Sequence, residues 1–308
     1  MALDCSQQRA VRRVSERSVH HRAAHRVHTG LIAASALVLV LLTFPARLAP
    51  ASESAPLTPA TLLQQAFDTR FNFDVVQLVE IATTERTSTV SRVIQMATKR
   101  IDGRLHGLGY ITAPERLRDT RLLMIENRDR SDDFFIYLPS EDKVRRVTSS
   151  RRADSFMGTG LSYEDLERRY VEDYEVSDAG TDVIGGEPVR VIGAKPRYDS
   201  GHDIAFYFIA ESDQAIREVR YWRGDKKRLL RVQRVPREAL AHMGEFLIPT
   251  RIELEDLQRR SNTTVTFSQI HLDPELDDKL FSRTAVEKGR PIPSLEGVGE
   301  LPATAATP

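Results

Sequence analysis

FFIYLPSEDKVRRVTSSRRADSFMGTGLSYEDL, residues 134–166, holds most of the decision about the fold. Its first part, FFIYL (134–138), is aromatic and β-branched and apolar on both faces, which suits a buried strand. Pro139-Ser140-Glu141-Asp142 breaks it with turn residues, and KVRRVTS (143–149) follows as a second run of strand period. Beyond this hairpin the pattern stops. Gly158 and Gly160 allow a tight backbone approach, with Phe156 and Met157 as an apolar anchor beside them. Ser162-Tyr163-Glu164-Asp165 resembles a capping box with Asp165 in the acidic place, which predicts a short helix over Tyr163–Arg169. Gly158-Thr159-Gly160 is not a phosphate loop, because Leu161-Ser162 stands where a Lys-Ser/Thr pair is required. Neither Ser155 nor Ser162 sits in the Gly-x-Ser-x-Gly of a nucleophile elbow. The stretch therefore reads as a loop and a capped helix laid against a sheet.

The same period of two runs through the rest of the chain. Strand-like runs occupy 75–83, 92–101, 103–112, 120–127, 170–176, 187–193, 203–210, 216–222, 228–235, 246–257 and 263–272, most of them separated by turns such as Gly185-Gly186 and Gly224-Asp225. In Arg251–Leu257, Ile252 and Leu254 face one way while Arg251, Glu253 and Glu255 face the other, as in a sheet with one buried face. So many short strands predict a mainly β protein with few helices, built on a single curved antiparallel sheet too long to stay flat. Thr58-Pro59 looks like an N-cap followed by proline at the first helical position, opening a helix to about Thr69. Residues 52–57 read as a linker, 58–290 as the folded domain, and the Pro/Gly/Ala-rich segment 291–308 as a flexible tail.

The 308 residues carry 44 basic and 44 acidic side chains, so no basic surface announces a nucleic-acid partner. The balance is uneven. Residues 1–51 hold seven arginines against Asp4 and Glu16, which leaves 37 basic and 42 acidic residues in the remainder. After that basic start comes GLIAASALVLVLLTF (30–44), shorter than the roughly 20 residues a spanning helix needs. A basic region, a short apolar core and small residues describe a cleavable export signal covering 1–51, with cleavage near Ala51 and an uncleaved inner-membrane anchor as the alternative. Cys5, the one cysteine, precedes the core, so the exported chain has no thiol and no disulfide. It must be held by its core alone, within the reach of a domain of about 250 residues.

Chemistry-bearing constellations are scarce. His106, His202, His242 and His271 are scattered, with no His-x-x-x-His or His-Glu-x-x-His, so no metal site is predicted. The carboxylates show no pairing suited to acid–base work. Neither catalytic residues nor a cofactor are expected. What stands out is the apolar supply: one sheet with few helices leaves part of its apolar face open as a cleft. From alternation and aromatic content, the candidate cleft residues are Phe134, Phe135, Ile136, Tyr137, Phe156, Met157, Phe206, Phe208 and Trp222. A one-residue change of register swaps the faces, so the sequence does not say which alternate set meets a ligand.

Taken together, the motifs in 134–166, the upstream RDTRLLMIE (118–126) and the late PTRI (249–252) resemble the LolA-like outer-membrane lipoprotein-sorting family. The likeness covers most of residues 60–285. It departs at Gly160-Leu161, where that family pattern has Ser or Asp followed by Phe. The resemblance implies an unclosed β-barrel of about eleven antiparallel strands under a helical lid. It implies a periplasmic carrier that binds lipid or lipoprotein acyl chains, working beside a membrane transporter of the resistance-nodulation-division or ABC type. Two other readings stay open: a same-fold sensor that binds a membrane protein of the anti-sigma-factor type, and a hydrolase with a dispersed site.

Overall fold

Alternating runs need hydrogen-bonded neighbours, and here all but the short hairpin at 240–249 find them in one sheet. In the computed structural model, the structure describes residues 57–69, 73–224, 226–244, 246–293 and 295. Thirteen strands form a single antiparallel sheet: β1 (Val75–Glu85), β2 (Ser88–Ile101), β3 (Arg104–Ala113), β4 (Arg121–Ile125), β5 (Asp133–Leu138), β6 (Lys143–Val147), β7 (Tyr174–Ile184), β8 (Glu187–Pro196), β9 (Ile204–Ala210), β10 (Ile216–Arg223), β11 (Arg228–Arg234), β14 (Arg251–Asp256) and β15 (Ser261–Leu272). Two more, β12 (Leu240–Met243) and β13 (Phe246–Pro249), pair only with each other.

The spatial order is β6-β5-β4-β3-β2-β1-β15-β14-β11-β10-β9-β8-β7. The chain starts in the middle at β1 and meanders out to β6. It then crosses to the far edge through residues 148–173 and meanders back inward, until β15 pairs with β1 from Val75↔Leu272 to Glu85↔Ser261. The sheet stays open, with β6 and β7 as its edges. Both edges are mostly exposed and polar, as strand edges exposed to water need to be.

The predicted sheet class and openness are as observed, with thirteen strands in the sheet where about eleven were expected. Three local expectations are corrected. The run 246–257 is two strands, broken at Thr250, whose N–H and hydroxyl both turn back to the Ala239 carbonyl at 2.7 and 3.0 Å. The helix expected over 163–169 is a single 3-10 turn, Tyr163–Leu166. Its cap is nonetheless built from the predicted residues: the Asp165 carboxylate accepts from both the N–H and the hydroxyl of Ser162 at 2.8 Å. The strand expected at 170–176 begins at Tyr174 and runs on to Ile184 through exposed polar residues, which as an edge carry no apolar alternation to read.

The expected N-terminal helix is α1 (Pro59–Asp68), with Thr58 Oγ1 accepting from Thr61 N–H at 3.1 Å. Its Leu62, Leu63, Ala66 and Phe67 pack on Ile192, Ala205, Tyr207 and Tyr221, covering one face of β8–β10. A second helix, α2 (Arg283–Lys288), covers the opposite face of the sheet's first half. There Phe281, Val286 and Ile292 pack on Ala97, Leu108, Leu123 and Phe135. Of the expected tail, residues 291–293 and 295 are described, and Ile292 is buried. The export signal (1–51), the linker up to residue 56 and the rest of the tail lie outside the described residues. No described helix is long and apolar enough to cross a membrane.

Candidate functional site

The crossing segment and the β12–β13 hairpin roof the inner face of β1–β5 and β15, and an apolar cavity of about 150 Å³ lies beneath them. Its floor follows from β3. The residues of that strand facing inward are Leu105, Gly107, Gly109 and Ile111, so two successive places have no side chain. A β-carbon at Gly107 would meet Met124 at 3.6 Å, and one at Gly109 would meet Ile94 at 3.1 Å. Both sit in ordinary strand backbone; their role is to leave room. Phe73, Leu105, Phe134, Phe156 and Phe267 form the walls, and Leu161, Leu166, Ile248 and Pro249 close the top. Gln77 and Thr98 are the polar side chains of the lining. A lining this apolar favours apolar molecules over polar ones.

The roof is fastened to the sheet at Gly160. Gly160 N–H donates to Thr83 Oγ1 at 2.8 Å, and Thr83 is hydrogen-bonded across the sheet to Thr263 at 2.9 Å. A β-carbon at Gly160 would lie 2.0 Å from Thr263 Oγ1, so the close approach of backbone to sheet demands glycine. The loop before it closes on itself, with Phe156 N–H to Leu161 O at 2.7 Å and Met157 in left-handed backbone at φ 51°. Arg92 secures that strained residue by donating to the Met157 carbonyl at 2.8 Å. Phe156, Tyr163 and Phe134 then stack edge to face, with centroids 5.6 and 5.5 Å apart. The Gly-Thr-Gly sequence is a fastening of the roof to the sheet.

Past Leu161 the crossing segment turns polar, and its acids and arginines point inward. Asp165 takes both oxygens to Arg231 Nη2 at 2.9 Å, with Arg169 at 3.7 Å. Burial works against its ionisation, but Arg231 and Arg169 outweigh burial and bring its pKa down to about 2. Arg168 pairs with Asp68 of α1 at 2.6 Å, Arg152 pairs with Glu167, and Arg169 donates to the hydroxyls of Tyr207 and Tyr221. The Arg152–Glu167 pair ties the crossing to itself, and the others bind its end to α1 and to β9–β11. Asp165, Arg169, Tyr221 and Arg231 also wall a second, polar chamber of about 270 Å³, and Leu161 lines both it and the apolar one.

The nine candidate cleft residues divide by face. Phe134 and Phe156 line the cavity, and Ile136 and Met157 pack against the same apolar cluster. Phe135 and Tyr137 point through the sheet to the other side, beneath the C-terminal segment. Phe206 and Phe208 also lie on the face of β9 away from α1, in a small cluster with Val189 and Val191, and Lys226 and Arg220 sit over their rings. Trp222 is half-buried on that same face, since it pairs with Ile204, two residues before Phe206. The structure thus brings four of the nine together. What the sequence reading missed is the Gly107/Gly109 pair, visible as two glycines at spacing two inside an apolar strand. It also missed the contribution of Leu161, Leu166 and the hairpin. Among the described residues no group of three or more His, Cys, Asp or Glu is placed to hold a metal ion.

Comparison with known proteins places this architecture. A family model whose description reads "Uncharacterized protein" matches residues 104–288. No curated protein matches the sequence. Among solved structures, a DUF1329-family protein from Desulfovibrio piger superposes with a TM-score of 0.69 at 20% identity, covering 74% of this chain and 97% of its own. A putative outer membrane lipoprotein-sorting protein domain from Vibrio parahaemolyticus gives 0.68 at 18%, covering 73% and 97%. A LolA-superfamily protein from Nitrosomonas europaea gives 0.60 at 21%, covering 75% and 100%.

Proposed function

The chain belongs to the family whose model matches residues 104–288 and carries the LolA-like fold, and from this premise we propose that it is a periplasmic carrier of acyl chains. The observation that carries the reading is the apolar cavity floored by Gly107 and Gly109 and roofed by the crossing segment. A strand that omits two side chains in the middle of a sheet gives up packing, and a ligand restores it. Each methylene buried there contributes about 0.8 kcal/mol, without a covalent step.

The cavity is smaller than the roughly 300–1,000 Å³ that enclosed ligands occupy. Loading a long chain therefore requires the roof to shift, and the part assigned to move is the half-buried hairpin β12–β13, which pairs with no other strand. Affinity of this kind is released by a receiving surface, so the carrier works with a membrane transporter, of the resistance-nodulation-division or ABC type, and passes lipid or lipoprotein towards the outer membrane. Export rests on the basic, short-cored N-terminus.

The test is direct. Purified protein should displace a fluorescent fatty-acid probe, and native mass spectrometry of protein taken from its own envelope should show bound lipid. Absence of both would end the carrier reading.

A further inference from the structure

The polar chamber has a chemical feature that the surrounding protein does not use. Ser200 Oγ donates to Glu164 Oε1 at 2.6 Å, which spends its one proton. It lies 2.9 Å from His202 Nδ1. With the serine proton committed to the carboxylate, Nδ1 must carry the hydrogen of the imidazole, and Nε2 is then a bare acceptor. His202 is 9% exposed, its ring is held edge-on to Tyr221 at 4.9 Å, and Nε2 has no partner among the described residues. Arg231 Nε–H, on the same chamber wall, also lacks one. An acceptor left unpaired in a buried wall is costly unless a small turn of the ring lets something in the chamber answer it.

Charge narrows what that is. Arg169, Arg223, Arg231 and Arg259 line the chamber, against Glu164, Asp165 and Asp256. All three acids are already engaged by protein donors. Glu164 takes Ser200, Tyr198 and Gly201 N–H; Asp165 takes Arg231 and Ser162; Asp256 takes the N–H groups of Gln258 and Arg259 at 2.9 Å. The exposed Arg223 donates to the Gly201 carbonyl, and Arg259 reaches Glu85 at only 3.7 Å. Each keeps guanidinium donors free for an anion at the mouth.

We infer that this chamber receives an anionic, hydroxyl-bearing head group of the phosphoglycerol kind, its hydroxyl donating to His202 Nε2 and its phosphate meeting Arg223 and Arg259, while the attached acyl chain passes Leu161 into the apolar cavity. The inference rests on the carrier reading and deepens it by naming the head group. Guanidinium donors match phosphate oxygens in pairs. The single residue shared by the two chambers gives one amphiphile a place for each end.

The experiment compares two probes with the same acyl chain, lysophosphatidylglycerol and lysophosphatidylcholine, by titration calorimetry on the full chain. Wild type should prefer the first by about tenfold, the worth of one hydrogen bond made to a charged or buried partner. His202→Phe, which keeps a ring against Tyr221 but removes Nε2, should erase most of that preference, chiefly by weakening lysophosphatidylglycerol binding. Arg223→Gln, at the exposed mouth, should reduce it as well and keeps the test alive if the histidine variant does not fold. Equal wild-type affinity for the two probes would mean that the chamber holds only solvent, which overturns this inference and leaves the carrier standing. A preference untouched by both variants would place the head group elsewhere and also overturn it. Binding of neither probe would remove the carrier reading itself.

Discussion

Gly160 stands so close to Thr263 that no other residue fits between the roof and the sheet: a β-carbon there would lie 2.0 Å from the threonine hydroxyl and 3.2 Å from its Cβ. Gly160→Ala should therefore lift the crossing segment, break its hydrogen bond to Thr83 and destabilise the fold by about 1–3 kcal/mol, the range for overpacking. Removing the hydroxyl with Thr263→Ala in the same chain should recover part of the loss. Thermal unfolding of the single and double variants checks this, and additive losses would show that the two residues do not interact.

The cavity floor can be filled. Gly107 has negative φ and 3.6 Å of clearance, so a side chain there is accepted by the backbone and projects into the cavity. Gly107→Leu should keep or raise the unfolding midpoint, because strand glycine is unfavourable, and should abolish displacement of the fatty-acid probe. A variant that binds the probe as wild type does would mean that the chain lies elsewhere.

Phe134 and Phe135 are neighbours with opposite surroundings. Phe135 is clamped beneath α2, with Arg283 over its ring at 5.0 Å. Phe135→Asp puts a charge into a closed core and should unfold the domain. Phe134→Asp faces the cavity, where water can enter around the charge. It should cost less stability and eliminate probe binding. Circular dichroism and probe displacement on the two variants separate the faces.

The carboxyl of Asp132 sits in the loop just before β5, accepting from Asn127 N–H at 2.9 Å, and burial pushes its pKa up to about 7. A raised value means that the folded state holds the proton more tightly than the unfolded chain. The stabilising contribution is complete below about pH 4, the ordinary aspartate range, and is lost as pH rises through 7. Asp132→Asn should flatten that decline between pH 4 and 8 in a series of thermal midpoints; an unchanged slope would show that the proton is held elsewhere.

How much of this could be read from residues alone depended on what fixed each feature. Strand runs were legible wherever one face is buried, as in Ile252 and Leu254. Residues 177–184 were not, because an edge strand needs no apolar face. The capping pair Ser162 and Asp165 was legible as local chemistry, yet the helix it should have opened stops after one turn. Arg168 and Arg169 turn inward to Asp68 and Tyr207, partners from other elements, and tertiary ion pairs outweigh local propensity. The side of the sheet that Phe206 faces could not be known without the register. Gly107 and Gly109 carried a readable signal, but only once a cavity beside them was in view.

The pairing of β1 with β15 has a temporal side. Val75 and Leu272 meet in the middle of the sheet, so its two halves cannot zip together until the last strand is available. Contacts between such distant residues form late and slowly. For a chain threaded across a membrane from its N-terminus, the first meander would wait with one flank of β1 unpaired, and the cavity it floors would have no roof. In such a chain the connectivity that builds the cavity would delay folding until translocation is complete, and would leave an interval in which a chaperone, or another copy of the chain, could reach the central strand.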